Sequence, residues 1–284
     1  MRISISVTNY DGVDLREVVR AADEAGVHTV WVTDHLIQAD PNASPDGAML
    51  EAYTTLGFLA AISGRVRLGA MVSAVTFREP ALLVKAVTTL DVLSGGRAWL
   101  GIGAGYQLQE AAALGLPMPP APERFQRLDE ALRIALAMWG GGQRPIQGTH
   151  YQLTHPTCYP PPASRPHPPI VIGGTGEKHT LRLVAQYADA CNLFDIPDGG
   201  RTVRHKLDVL ARHCQRIGRP YADIEKTIST RLDPAAGPGA FAEHCSELAA
   251  LGIDHAVVIT NGPWTAAKIA MLTDAMRAEP RGAP

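Results

Sequence analysis

Cysteine is scarce and scattered in this chain. Cys158, Cys191, Cys214 and Cys245 are the four in 284 residues. They form no C-x-x-C pair and lack the density of a secreted disulfide scaffold, so a reduced, cytoplasmic protein is the expectation. An excess of charge of one sign is also missing. The 26 Lys and Arg against 28 Asp and Glu leave a net charge of −2, which argues against general binding to nucleic acid or to an anionic membrane. No apolar run approaches the roughly 20 uncharged residues that a membrane-spanning helix needs. The opening "MRISISVTNY" reads as a strand and has no signal-peptide core behind it.

What is present is a globular balance, 46% hydrophobic and 19% charged, ample for a core. Short β-rich runs alternate with longer runs of helical period. "RISISVT" precedes "LREVVRAADEAG", in which Leu15, Val18, Val19, Ala22 and Ala25 share one helical face before a stop at Gly26. "HTVWVTD" precedes a helix starting near Met49, and "VRLGAMVS" precedes "PALLVKAVTTLDVLSGG". "AWLGIGA" is followed by "ERFQRLDEALRIALAMW", and "PPIVIGG" by "KHTLRLVAQYA". "ACNLF", "IEKTIST" and "HAVVIT", each with its helix, complete eight pairs. Val- and Ile-rich runs without strict alternation suit buried parallel strands. Eight such pairs favour a (β/α)8 TIM barrel in one domain, residues 1–284, over a doubly wound sheet. Residues 141–168, rich in Gly, Pro and His, read as a surface insertion between the fourth helix and the fifth strand, with a short hairpin near "THYQLTHP".

In such a barrel the chemistry lies at the C-terminal ends of the strands. These ends carry no Lys for a Schiff base and no His/Asp/Glu set with metal-ligand spacing, so no metal is expected. Asp34 and His35 stand at the mouth of the second strand. His35 is the candidate for handling a proton near neutral pH, against the plainer reading of a capping Asp and a surface His. Gly101, Gly103 and Gly105 alternate along the fourth strand. They leave space for a ligand or for bulky neighbours. "IGGTGEKHT" places Gly173, Gly174, Thr175 and Gly176 before a helix, the setting of an anion site. It matches neither the dinucleotide fingerprint nor the P-loop, because no third glycine follows and Lys178 precedes His179. Asn9, Glu51, Tyr53 and Tyr106, with the 141–168 insertion, are the candidate substrate lining.

The ordered blocks "WVTDHL", "EAYTTLGFLAA", "RLGAMVSAVTFREPALLVKAVTTLDVLSGGRAWLGIGAGY", "ERFQRLDEALRIALAMW" and "PPIVIGGTGEKHTLRLVAQYADACNLF" resemble the luciferase-like monooxygenase family. Within it they are most similar to the branch of oxidoreductases that use the deazaflavin coenzyme F420. The resemblance implies a ring resting on a bulge at Met71, Val72 and Ser73, often with a non-proline cis peptide. It implies a polar pair at Asp34 and His35, a wall at Gly103, Ala104, Gly105 and Tyr106, and a phosphate on the amides of Gly173 to Gly176. It also implies hydride transfer to or from a small organic substrate, and a homodimer packed through helices near the second and third strands. Where the sugar-phosphate dehydrogenase branch has an acidic Glu, this chain has Tyr106 or Gln107, which puts that substrate in doubt. Flavin mononucleotide with an oxygen-dependent monooxygenase, and a non-catalytic flavin- or deazaflavin-binding barrel, are the alternative readings.

Overall fold

Alternation along the first strand shows how the chain divides its surface. In Arg2–Val7 (β1), Ile3, Ile5 and Val7 are buried against the surrounding helices, while Ser4 and Ser6 face the barrel interior. The structure, a computed structural model, describes residues 1–39, 44 and 46–278. Seven more parallel strands follow, Thr29–Val32 (β2), Arg67–Ala70 (β3), Ala98–Gly103 (β4), Ile170–Gly173 (β5), Ala190–Phe194 (β6), Glu225–Leu232 (β7) and His255–Thr260 (β8). Neighbours run β3, β2, β1, β8, β7, β6, β5, β4. The ring is closed by β3 on β4, with Leu68 opposite Ala98 and Gly69 opposite Trp99.

The helices are Leu15–Ala25 (α1), Ala52–Ile62 (α2), Pro80–Ser94 (α3), Leu108–Ala113 (α4), Ala121–Trp139 (α5), Thr180–Tyr187 (α6), Arg201–Ile217 (α7), Gly237–Ala250 (α8) and Ala266–Ala278 (α9). Local grammar sets their ends. Asp14 caps α1 by accepting from the N–H groups of Arg16 and Glu17, and Gly26 ends it in the left-handed region. The second helix starts three residues later than the apolar pattern suggests, because the Glu51 side chain accepts from Thr54 N at 2.7 Å and caps it. The 141–168 insertion holds the short antiparallel pair Ile146–Gln147 and Gln152–Leu153, a hairpin that overlaps the expected segment.

Two tryptophans, Trp31 and Trp99, fill the barrel interior with Val171, Ala190 and Val257, and Met71 packs on them from above. Gly69 makes this possible. A Cβ there would lie 2.6 Å from the Trp31 ring and 2.9 Å from Trp99 Cβ, closer than packed atoms approach. At the N-terminal end of the barrel, His255 lies within hydrogen-bond reach of Ser4 and, through Nδ1, 2.7 Å from Glu225; the His28 ring meets it edge-on.

Candidate functional site

The third strand breaks after Ala70, and the chain steps out of line before resuming as Ser73–Ala74 against β4. The Met71–Val72 peptide in this step is cis. Its side chain needs room, and the neighbouring glycines supply it. A Cβ on Gly173 would lie 2.8 Å from a Val72 methyl, and one on Gly103 would lie 3.0 Å from it. Gly101 is tighter still, since its Cβ would sit 1.8 Å from the Ala70 carbonyl oxygen. Of the two readings of these glycines, steric relief accounts for Gly101. Gly103 and Gly173 do both, because they accommodate Val72 and also line the cavity.

That cavity, of about 800 Å³, opens at the C-terminal ends of the strands. It is bounded by Asp34, His35, Met71, Val72, Gly103, Ala104, Gly105, Tyr106, Gly173 and Gly174 from the sequence-derived set. Six others of that set do not line it. Ser73 is fully buried below the bulge and bonds Tyr53 Oη at 3.0 Å. Tyr53 is thereby committed to the fold, and burial raises its phenol above the ordinary range. Asn9 turns its amide oxygen to Asp11 N at 2.8 Å. Glu51 caps α2 and pairs with Arg78 at 2.5 Å. Thr175 and Gly176 lie beyond the cavity edge, and no described residue of 141–168 reaches it.

Adjacent residues of an extended strand point apart, yet Asp34 and His35 both line the cavity. The reason is that β2 ends at Val32, so the pair sits on the following loop. Asp34 is buried and takes a two-pronged ion pair from Arg78, at 2.5 and 2.9 Å. His35 is held by the segment that follows β4, two strands round the ring. Its Nδ1 lies 2.7 Å from Oε2 of Glu110 on α4, whose other oxygen accepts from Leu36 N at 2.5 Å. Glu110 is only 2% exposed. A buried carboxylate with these donors fixes both the ring and the loop that carries it. Tyr106 Oη stands 3.3 Å from His35 Nε2, with its ring edge-on to the imidazole. Burial, and secondarily Glu110, raise the Tyr106 phenol.

Sequence reasoning missed Glu110 and Arg78. Glu110 was legible only as a helix residue after the fourth strand, and its partner is 75 positions away. Arg78 lay in the quoted "TFREP", but nothing in the local pattern marks its partner.

The glycine loop ends β5. Gly174 has φ of +111°, and a Cβ on Gly176 would meet Thr180 Oγ1 at 2.9 Å. Both positions therefore require glycine in the turn that leads into α6. Helix α6 begins at Thr180, so His179 lies ahead of it and stacks on Phe125 with centroids 4.9 Å apart. Glu177 is tied to α7 by Lys206 at 2.6 Å and His205 at 3.0 Å. Opposite, β6 and β7 bring Asn192, Asp195, Ser229, Thr230 and Arg231 to the cavity, with His244 from α8. No group of three or more His, Cys, Asp or Glu residues among the described residues could hold a metal ion.

Comparison with known proteins fits this geometry. A family model described as luciferase-like monooxygenase matches residues 5–268. F420-dependent glucose-6-phosphate dehydrogenases of Microbacterium testaceum and Kineococcus radiotolerans are each 34% identical, over 74% and 75% of this chain. The chain spans 61% and 63% of the length of these relatives. The structure of an F420-dependent secondary alcohol dehydrogenase in complex with an F420-acetone adduct superimposes with a TM-score of 0.84. It shares 16% identity, with 99% of this chain and 100% of that one covered, which is a likeness of fold. With a model match over nearly its whole length and the bulge, polar pair and glycine loop in one cavity, the chain belongs to the luciferase-like monooxygenase family.

Proposed function

We propose that the protein is a coenzyme F420-dependent oxidoreductase that moves a hydride between the deazaflavin and a small organic substrate. The choice of coenzyme is supported by the curated relatives, whose names specify F420 dependence. The observation that carries the chemistry is the His35–Glu110 pair at 2.7 Å on the wall of the cavity.

The residues present fit such a coenzyme. The glycine turn ahead of α6, with Gly174 at φ of +111° on the cavity wall, suits a phosphate on backbone amides. Met71 and Val72 offer an apolar ledge for a flat ring, and about 800 Å³ accommodates ring and substrate together. When bound, the deazaflavin supplies a carbon that accepts or donates hydride. The chain supplies orientation and the proton. A carboxylate only accepts hydrogen bonds, so with Glu110 at Nδ1 that nitrogen carries hydrogen and Nε2 is left to take or deliver a proton. The Tyr106 hydroxyl, at Nε2, provides the adjoining polar contact on the same wall. Arg78 neutralises Asp34, which keeps a second buried charge on this wall from competing for the proton.

Two further points belong to this reading. All four cysteines are buried and none forms a disulfide, which supports a reducing, cytoplasmic setting, and no helix among the described residues is long and apolar enough to cross a membrane. Leu82 and Leu93 on α3 are 62% and 73% exposed; exposed leucines on this helix support a homodimer packed through helices near the second and third strands. The test is a titration with coenzyme F420, read by quenching of tryptophan fluorescence. Saturable quenching is expected. Saturable binding of flavin mononucleotide alone would overturn the F420 reading in favour of a monooxygenase.

A further inference from the structure

Strands two and six are four places apart in the closed ring of eight, so their ends face each other across the mouth. His35 follows the one and Asp195 the other. Asp195 is built into its wall. Its Oδ2 accepts from Thr230 Oγ1 at 2.6 Å and lies 2.7 Å from His244 Nε2. Its Oδ1 has no side-chain partner among the described residues, although Asp195 lines the cavity.

We propose that Asp195 is the specificity-determining residue of the site and that it selects a substrate without negative charge that offers it a hydroxyl or amine hydrogen. This rests on the oxidoreductase reading above. A carboxylate can only accept, so its open oxygen calls for a donor. The balance of charge around it points the same way. Among the described residues, the acidic and basic side chains of the cavity wall are Asp34, which Arg78 neutralises, Glu110, which holds His35, and Asp195, Arg231 and His244, with no lysine. Arg231 donates to Asn261 Oδ1 at 2.9 Å. His244 lies between Asp195 and, on its Nδ1 side, Glu247 at 3.5 Å. Its positive charge is thus already matched, so a phosphate or carboxylate brought to Asp195 would meet a carboxylate.

The His244 hydrogen bond keeps the Asp195 carboxyl below the usual range, and Asp195 in turn raises His244. In the reaction, the substrate's carbinol C–H would give hydride to the coenzyme and its O–H proton would pass to His35, leaving a carbonyl. The group held by Asp195 is a second donor on the same molecule and is not consumed.

The experiment measures dissociation constants for matched compounds on the coenzyme F420-loaded protein by calorimetry: glycerol against glycerate, and glucose and glucosamine against glucose 6-phosphate. The neutral or amine member of each set should bind at least about tenfold more tightly than the anionic member, the discrimination expected from one charge-assisted hydrogen bond gained against one repulsion. Asp195→Asn should lose that preference by about tenfold or more. His244→Gln, which keeps a donor for Asp195 and removes the positive charge, should widen the gap between the neutral and the anionic members. Tighter binding of glucosamine than of glucose would support the proposal and identify an amine as the preferred donor. Equal or tighter binding of the anions, no binding of any member, or an unchanged preference in Asp195→Asn would overturn it. Failure of the oxidoreductase reading is seen separately, as absence of saturable coenzyme F420 binding before any substrate is added.

Discussion

Replacing Glu110 by Gln tests the site at its least legible residue. The carboxylate now accepts from Leu36 N at 2.5 Å and from His35 Nδ1 at 2.7 Å. The amide keeps one oxygen, which suffices for Leu36, and turns an NH2 group towards a ring nitrogen that carries hydrogen. Donor then faces donor, and the imidazole must rotate or change tautomer. A hydrogen bond to a charged group contributes about 1.5–3 kcal/mol. Expressed in the step in which His35 exchanges its proton, that is about 10- to 150-fold in rate. Single-turnover absorbance changes of coenzyme F420, mixed with an active substrate, read this step directly. Coenzyme affinity should stay within about threefold, since the glycine loop is untouched. Glu110→Gln in a His35→Ala background should cost almost nothing more, because both act through one imidazole. A single-turnover rate within about threefold of the parent, or additive losses in the double variant, would refute the positioning role.

Arg78→Met should remove both hydrogen bonds from the fully buried Asp34 side chain. The loss expected is about 3–5 kcal/mol, or about 5–8 °C in Tm for a chain of this size; pairing it with Asp34→Asn should restore much of this, and a loss below about 1 kcal/mol would contradict the burial argument. Gly101→Ala should prevent soluble expression or cost more than about 3 kcal/mol, because its Cβ would lie 1.8 Å from a backbone oxygen. By contrast Gly57→Ala, inside α2 with nothing within 4 Å, should stabilise by about 0.5–1 kcal/mol in thermal or urea unfolding. Burial, followed by the charge of His255, pulls His28 down to about 4 from its usual 6.5. The unfolded chain therefore binds this proton first, and stability should fall as pH drops from 6.5 towards 4; after discounting for partial exposure the effect is about 2 kcal/mol. A His28→Asn variant with the same loss over that window would exclude His28 as its origin.

The order of strands and helices was legible because each of the eight pairs carries its own periodicity and its own stops, such as Gly26 after α1 and Pro80 at the start of α3. Those are local properties, fixed within a turn or two of the chain. The bulge at Met71–Val72, His35 and the glycine loop were legible through resemblance, as ordered motifs beside strand ends. The pairings were not. Glu110 meets His35 across 75 positions, Arg78 meets Asp34 across 44, and His244 meets Asp195 across 49. Each depends on which loops the closed ring places side by side. Local pattern also misplaced Asn9, Glu51 and Tyr53, because a polar residue near a strand end can equally serve a turn, a helix cap or a buried hydroxyl pair. The sequence by itself determined that there would be a barrel mouth with a histidine and a glycine loop on it. Only the tertiary structure decided what faces that histidine, because the contacts come from ring closure and not from neighbours in the chain.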